Sequence, residues 1–335
     1  MSSWANRLIP RKRDLSQIPD AFRPTIVPRV ERREVVLSES FQVKVENEII
    51  YPDKSEWKSS FQSLPSFSGY SSNSNVSVFS AKRVLTIPAI ELIHNEKSYV
   101  FVILRNIQKT SDNDLWLSAY QSIRQYYTNQ IIIIDDNSSL NTFNGKLVNT
   151  EIIQSEYNGA GEILPYHYFL KEKWADTMIF LHDSMVIHRL FTDDELDHEV
   201  VIHWHFNEKD KAIVKKSVAL LSYLTKSKEI EEYIVNGEWV GVFGGASIID
   251  LSVVEMLEEK YKITNLVNFI RTRKQRQLVE RVLGMILSYE KNVTSNFGDI
   301  LKYPKNFETN NLQISIHNIS QANYNTAIIK LWRGR

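Results

Sequence analysis

Carboxylates follow two strongly apolar segments of the chain. The run Met178–Leu181 leads to Asp183, and the run Ile131–Ile134 leads directly into Asp135 and Asp136. Apolar runs of this length, ended by turn residues, predict strands that are buried on both faces. The ends of such strands meet at one edge of an open α/β sheet, where ligands bind. Carboxylates there suit a divalent cation, and a bound cation suits a diphosphate.

Alternating strand and helix patterns surround these two runs. Further strands are predicted at Tyr99–Asn106 and Leu147–Gln154. A first helix has apolar residues at helical spacing and an acidic cap, and a second opens at Asn158–Gly161. The first is marked by Leu115, Ala119, Ile123 and Tyr126 with Asp112 or Asp114 as its cap, and the second by Ile163, His167, Leu170 and Trp174 with Pro165 in its first turn. This order predicts an α/β fold with a mixed, mainly parallel central sheet flanked by helices.

The second half of the chain is less regular. Val200–Asn207 predicts a strand, and Lys211–Val235 predicts one long helix. Trp239–Asp250 predicts a glycine-bearing strand or loop, and Leu266–Tyr289 a second long helix. The segment from Ile314 onward has strand-like pieces and a basic tail.

The N-terminal part differs from the rest. It carries prolines among basic residues and a serine-rich stretch, and Phe41–Tyr51 alternates as a hairpin would. We expect residues 1–94 to be an irregular extension rather than a separate binding module, because little of it can form a core. Residues 95–335 then form the main domain, with one half at 95–190 and the other at 191–335.

Composition excludes several classes of protein. Lys plus Arg (40) balances Asp plus Glu (40), so no bulk charge favours nucleic acid as a partner. The absence of cysteine excludes disulfides, thiolate zinc sites and a cysteine nucleophile. No apolar run approaches the roughly 18 residues of a transmembrane segment, and the start lacks the apolar core of a signal peptide. We therefore expect a cytoplasmic protein without a transmembrane segment.

The strands, their carboxylates and the order of elements resemble a GT-A glycosyltransferase. The similarity covers roughly residues 95–335, and it is greatest to the family 2-like enzymes of bacterial polysaccharide clusters and of large DNA viruses. It implies transfer of a hexose from a UDP-sugar, or another nucleoside diphosphate-sugar, to a hydroxyl of a glycan or other acceptor. The resemblance also implies inversion, assistance by a metal and a role in polysaccharide biosynthesis.

The resemblance assigns a donor side. In the family, acidic residues after the second strand bind the base and ribose, which makes Asp135 and Asp136 candidates. Arg105 and Asn106 end the first strand at the same edge. A glycine-bearing turn passes close to the donor sugar and diphosphate in the family, and here that turn contains Gly159 and Gly161. Alternatively, Asp135–Ser139 is only a turn that suits Asp, Asn and Ser, and the glycines belong to a loop that leads into a helix.

The metal site is degenerate. The family carries Asp-x-Asp after a mid-domain strand, and this chain has His182, Asp183 and Ser184 there. The resemblance implies Asp183 as a ligand for Mn²⁺ or Mg²⁺, with His182 as a second ligand or a pocket residue. A histidine near the C-terminus makes His317 a further candidate. Basic residues that would cover the diphosphate follow it: Lys330, Arg333 and Arg335. The open alternative for Asp183 is a turn after a buried strand.

The resemblance places the acceptor-binding side in the second half of the main domain, residues 191–335. Trp239 and Phe243 could stack on a sugar ring while Gly244 and Gly245 leave room for it, as the family's aromatic and glycine-rich segment does. Packed core aromatics are the alternative.

Inverting members of the family carry a catalytic carboxylate on a helix, and an inverting transfer needs a general base for the acceptor hydroxyl. Glu280 is the candidate and Asp250 the second. Alternatively, Glu280 is an exposed charge of a basic helix. His203 and His205 could share a strand face, but without a third ligand a structural pair is expected. The second functional hypothesis is an inactive nucleotide-binding or glycan-binding scaffold on the same fold, which the degenerate metal motif keeps open.

Overall fold

A computed structural model describes residues 89–140, 143, 145–236, 238–304 and 312–332. Its strands are β1 Ile93–His94, β2 Lys97–Arg105, β3 Ile131–Asp135, β4 Thr150–Gln154, β5 Thr177–His182, β6 Met185–Ile187, β7 Val200–Ile202, β8 His205–Phe206, β9 Gly241–Val242, β10 Ser247–Asp250 and β11 Ile328–Lys330. Its α-helices are α1 Asp112–Tyr126, α2 Leu164–Glu172, α3 Asp193–Leu196, α4 Lys211–Leu221, α5 Ser227–Asn236, α6 Leu251–Tyr261, α7 Arg273–Lys291 and α8 Leu312–Gln321. Short 3₁₀ turns lie at Gly161–Ile163, Phe243–Gly245 and Ile263–Asn268.

The central sheet has the strand order β4-β3-β2-β5-β10-β7, with β1 added beside β2. Strands β2 to β5 pair in parallel, whereas β10 is antiparallel to both of its neighbours. This confirms the predicted mixed, mainly parallel α/β fold. The residue ranges 95–190 and 191–335 share the sheet, because β5 from the first pairs with β10 from the second.

Apolar side chains cover both faces of the sheet. The β2 residues Val100, Val102 and Leu104 belong to one buried cluster, and Phe101 and Ile103 belong to the other. Successive side chains of a strand point to opposite faces, so a strand without polar alternation is buried on both. Because β3 and β5 both pair in parallel with β2, the carboxyl ends of these three strands share one edge of the sheet, called here the carboxyl edge.

Two predicted elements are broken. The strand predicted at Val200–Asn207 is two short strands, β7 and β8, which pair with different partners. The helix predicted at Lys211–Val235 is also two, α4 and α5. Between these helices Thr225 donates its N–H to the Tyr261 carbonyl at 3.0 Å, and its hydroxyl donates to Lys260. These tertiary hydrogen bonds replace the helical ones that the local sequence alone would support.

Three further details differ from the prediction. The helix predicted from Leu266 begins at Arg273, where Thr272 caps it and forms a capping box with Gln275. The C-terminal segment that begins near Ile314 contains the helix α8 before the strand β11. Asp112 begins α1, and its carboxylate accepts the N–H groups of Gln108 and Lys109 in the preceding turn.

The hairpin predicted at Phe41–Tyr51, and the extension 1–94 except its last six residues, lie outside the described residues. No helix in the described part of the chain is long and apolar enough to cross a membrane.

Candidate functional site

A buried ion pair lies at the carboxyl edge, where β2 and β3 end. Arg105 Nε is 2.8 Å from Asp135 Oδ2, and both side chains are fully buried. Asp135 Oδ1 accepts the backbone N–H of Ser138, and the Arg105 guanidinium lies 4.6 Å from the centre of the Trp116 ring. Gln154 Nε2 also donates to Asp135 Oδ1 at 3.5 Å, so Asp135 has three protein partners, and it holds the turn that follows β3.

Asp136 reaches the glycine turn instead. Its Oδ1 accepts the Gly159 N–H at 2.6 Å, and its Oδ2 accepts the Gly161 N–H at 3.1 Å. Arg276 Nη1, on α7, is 3.4 Å from the same Oδ2. Burial raises the pKa of Asp136, and the two backbone donors and Arg276 oppose that rise. The second carboxylate of the pair thus fixes the glycine turn beside a cation.

A third carboxyl group, that of Glu162, lies next to this turn. Its Oε2 is 3.6 Å from Arg276 Nε and accepts no hydrogen bond among the described residues. Gly161 has a positive φ, and a Cβ on it would lie 2.0 Å from the Arg276 side chain. Glycine is therefore required at Gly161, since any side chain would displace the arginine that joins Asp136 to Glu162.

Glu280 lies one turn further along α7 from Arg276 and is half-buried. Burial raises its pKa, and the charge of Glu162 raises it further, whereas a backbone hydrogen bond from Gly244 opposes the rise. Gly245, next along the chain, lies against Glu162, because a Cβ on this glycine would be 3.2 Å from Glu162 Cβ. Two carboxyl groups thus flank the predicted acceptor segment.

His182 ends β5 beneath the same segment. Its Nε2 is 2.6 Å from the Gly244 carbonyl oxygen. Burial, together with the smaller effect of the nearby Lys330 charge, lowers the pKa of His182 to about 3, so the imidazole is neutral. Gly244 has φ +65°, and a Cβ on it would lie 2.5 Å from this ring nitrogen, which leaves no room for a side chain.

Lys330 approaches from β11. Its Nζ is 2.5 Å from Ser184 Oγ and 5.7 Å from the centre of the Phe243 ring. Phe243 also contacts Trp332, with ring centres 5.8 Å apart. Trp239, the other predicted acceptor aromatic, is half-buried and packs against the core cluster under α7.

The residues predicted to bind a metal do not form a cluster. Asp183 is half-buried at the end of β5, where its N–H donates to Leu104, and His317 is exposed on α8. Within the described part of the chain, no three His, Asp or Glu side chains come together as a metal site would require. His182 Nε2 already faces a carbonyl and Asp136 already accepts three donors, so the donor set does not fit a resident hard cation.

The remaining predicted residues lie at several different places in the fold. Asp250 is at the opposite edge of the sheet, where it pairs with Lys97 at 2.7 Å and accepts the Thr177 hydroxyl. Asn106 lies at the carboxyl edge and donates to the Asp136 carbonyl. His203 and His205 have different partners, because His203 Nε2 faces the Phe180 carbonyl and His205 Nδ1 faces the Ser295 hydroxyl.

Sequence reasoning missed two residues of this site. Glu162 is a single acid in a glycine turn, and Arg276 is one of several basic residues before Glu280. Neither has a pattern of its own. Only the approach of α7 to the glycine turn, where Gly161 meets Arg276, brings them together.

No protein-family model matches the sequence, and no curated protein sequence matches it. Solved structures with some similarity include S. aureus TarS 1-349 in complex with UDP, at 12% identity and a TM-score of 0.32, covering 57% of this chain and 54% of that chain. They also include the S. cerevisiae mannosyltransferase Ktr4p in complex with GDP, at 9% identity and a TM-score of 0.32, covering 56% of this chain and 66% of that chain. The Mn/GDP form of Core-mannan synthase A from Aspergillus fumigatus has 11% identity and a TM-score of 0.30, covering 56% of this chain and 69% of that chain.

The chain thus spans about half the length of TarS 1-349. At such TM-scores and identities, these similarities carry no argument about the chemistry of this chain. The functional conclusion rests on the site itself.

Proposed function

We propose that this chain is a GT-A glycosyltransferase that moves a sugar from a nucleoside diphosphate-sugar to an acceptor hydroxyl with inversion. One observation carries the proposal: carboxyl groups and cations from distant parts of the chain converge at the carboxyl edge of a mainly parallel sheet. The carboxyl groups are those of Asp136, Glu162 and Glu280, and the cations are Arg276 and Lys330.

Each part has a role in that reaction. The proposed donor lies over the glycine turn, lined by Asn106, Gly159 and Gly161, with the turn held by Asp136. The buried pair of Arg105 and Asp135 supports this edge from beneath. A UDP-sugar, with a hexose as the sugar, is the donor that we propose to test first.

The acceptor side lies between Phe243 and Glu280. As the bond from the anomeric carbon to the acceptor oxygen forms, the bond to the leaving phosphate oxygen breaks, and Glu280 takes the proton from the acceptor hydroxyl. Negative charge then builds on the leaving nucleoside diphosphate and needs cationic partners. Gly244 approaches His182, and Gly245 approaches Glu162, more closely than a residue with a side chain could.

A divalent cation is not part of the proposed transfer step. A Mn²⁺ or Mg²⁺ ion bound together with the donor would meet Asp183 as its protein carboxylate, and His317 would have to reach it from α8. Because the donor set does not fit a resident cation, no step of this mechanism depends on one.

A thermal-shift panel tests the proposal, since a ligand that binds the folded state raises its stability. UDP-glucose, GDP-mannose, CMP-sialic acid and dTDP-glucose should be compared with uridine alone. We expect one nucleoside diphosphate-sugar to stabilise the chain and to release its diphosphate when acceptors are added. Stabilisation without any release would favour the inactive scaffold, and no stabilisation would contradict both.

A further inference from the structure

Backbone pairing fixes the position of Lys330. The strand β11 pairs with β6 and places this lysine opposite Met185, directly after the segment where a GT-A metal motif would lie. The chain holds the position firmly, because Leu331 donates its N–H to the Ser184 carbonyl at 2.8 Å and the Tyr303 hydroxyl receives the Lys330 N–H. Lys330 Nζ then meets Ser184 Oγ at 2.5 Å.

The ammonium charge of Lys330 acts on two titratable groups of the site. It helps to lower the pKa of His182 and opposes the rise in the pKa of Glu280, and these two groups lie on different elements. Lys330 Nζ also lies over the Phe243 ring, 5.7 Å from its centre. Lys330 is therefore a cation positioned between the end of β5 and the proposed base.

A second cation faces it from α7. Arg276 also lowers the pKa of His182, so both charges act on the same imidazole. Its guanidinium lies within 3.6 Å of both Asp136 and Glu162. Two cations thus act on His182, in a region where the described residues gather no group of metal ligands.

We propose that Lys330, together with Arg276, binds the diphosphate of the donor and takes the place of a divalent cation, so that donor binding is independent of metal. This inference rests on the proposed function. Ammonium and guanidinium groups both bind phosphate oxygens through charge-assisted hydrogen bonds. Lys330 can turn from Ser184 to a phosphate oxygen, because its stem is flexible and its three donors rotate.

Isothermal titration of the full-length chain with UDP and GDP, in EDTA and in Mn²⁺, tests this. We expect one of the two nucleotides to bind in EDTA within about threefold of its affinity in Mn²⁺, since direct cationic partners need no metal. Lys330→Gln should weaken that binding about tenfold or more, Lys330→Arg should retain most of it, and uridine should bind both variants alike.

Lys228→Gln is the matched control, because this lysine is exposed on α5, and circular dichroism with the unliganded Tm confirms that each variant folds. Binding of UDP or GDP only in Mn²⁺, or unchanged binding by Lys330→Gln, overturns the inference and leaves the proposed function standing. Binding of neither nucleotide under any condition overturns both.

Discussion

Asp136 Oδ1 accepts the backbone N–H of Gly159 at 2.6 Å. The carboxylate that follows β3 therefore anchors the turn that opens the next helix, and the two predicted donor-side motifs form one structural unit. A substitution of Asp136 or of Gly159 is expected to disturb the other residue, because the Asp136 side chain satisfies the backbone donors of the glycine turn.

Replacing Asp136 with alanine should weaken both stability and nucleotide binding. The half-buried N–H of Gly159 and the buried N–H of Gly161 lose their acceptor, which costs about 1–3 kcal/mol in the free energy of unfolding. The affinity for a stabilising nucleotide should fall as well, because the glycine turn is no longer held. Urea unfolding and titration of the same preparation measure the two effects.

Asp194→Ala serves as the control, since Asp194 is exposed on α3 and its loss should change stability by no more than about 0.5 kcal/mol. An Asp136→Ala variant as stable as this control would show that the turn does not depend on the carboxylate.

Asp135 should behave differently from its neighbour. Asp135→Ala leaves Arg105 as a buried charge without its carboxylate, which costs about 3–5 kcal/mol. Replacing both residues, as in Arg105→Met with Asp135→Leu, should recover most of that loss because no charge remains buried. Urea unfolding of the wild type, Asp135→Ala and the double variant decides the point, and equal stability of the single and double variants would contradict it.

The parallel part of the fold could be predicted because its strands are apolar on both faces, as Ile131–Ile134 shows. The carboxyl edge followed from those strands, and Asp136 and His182 do lie there. The position of Asp250 could not be predicted, since it depends on the antiparallel direction of β10. Lys330 meets Ser184 across 146 positions of sequence, and no local pattern indicates such a contact.

Glu162 should set the pH dependence of transfer. Its charge raises the pKa of Glu280, on top of the effect of burial. Because a general base works only when deprotonated, the rate should rise with pH through a pKa above the ordinary glutamate value of about 4.3. Glu162→Gln removes the neighbouring charge and should move this rise to lower pH. The measurement is kcat/KM against pH.

A rise at the same pH in Glu162→Gln and in the wild type would show that Glu162 does not act on the base. Glu259→Gln provides the comparison, because Glu259 is exposed on α6 and its charge is not among those that shift Glu280.

Glu280→Gln tests the base directly. Glutamine keeps the shape of the side chain and can still accept a hydrogen bond from Gly244, but it cannot take the proton of the acceptor hydroxyl. Transfer should therefore fall by roughly 10²-fold or more, while donor affinity stays near that of the wild type. Hydrolysis of the donor by water should fall less, since water is small enough to use other routes. Transfer by Glu280→Gln at the wild-type rate would refute the assignment, and a product that retains the donor's anomeric configuration would refute inversion independently.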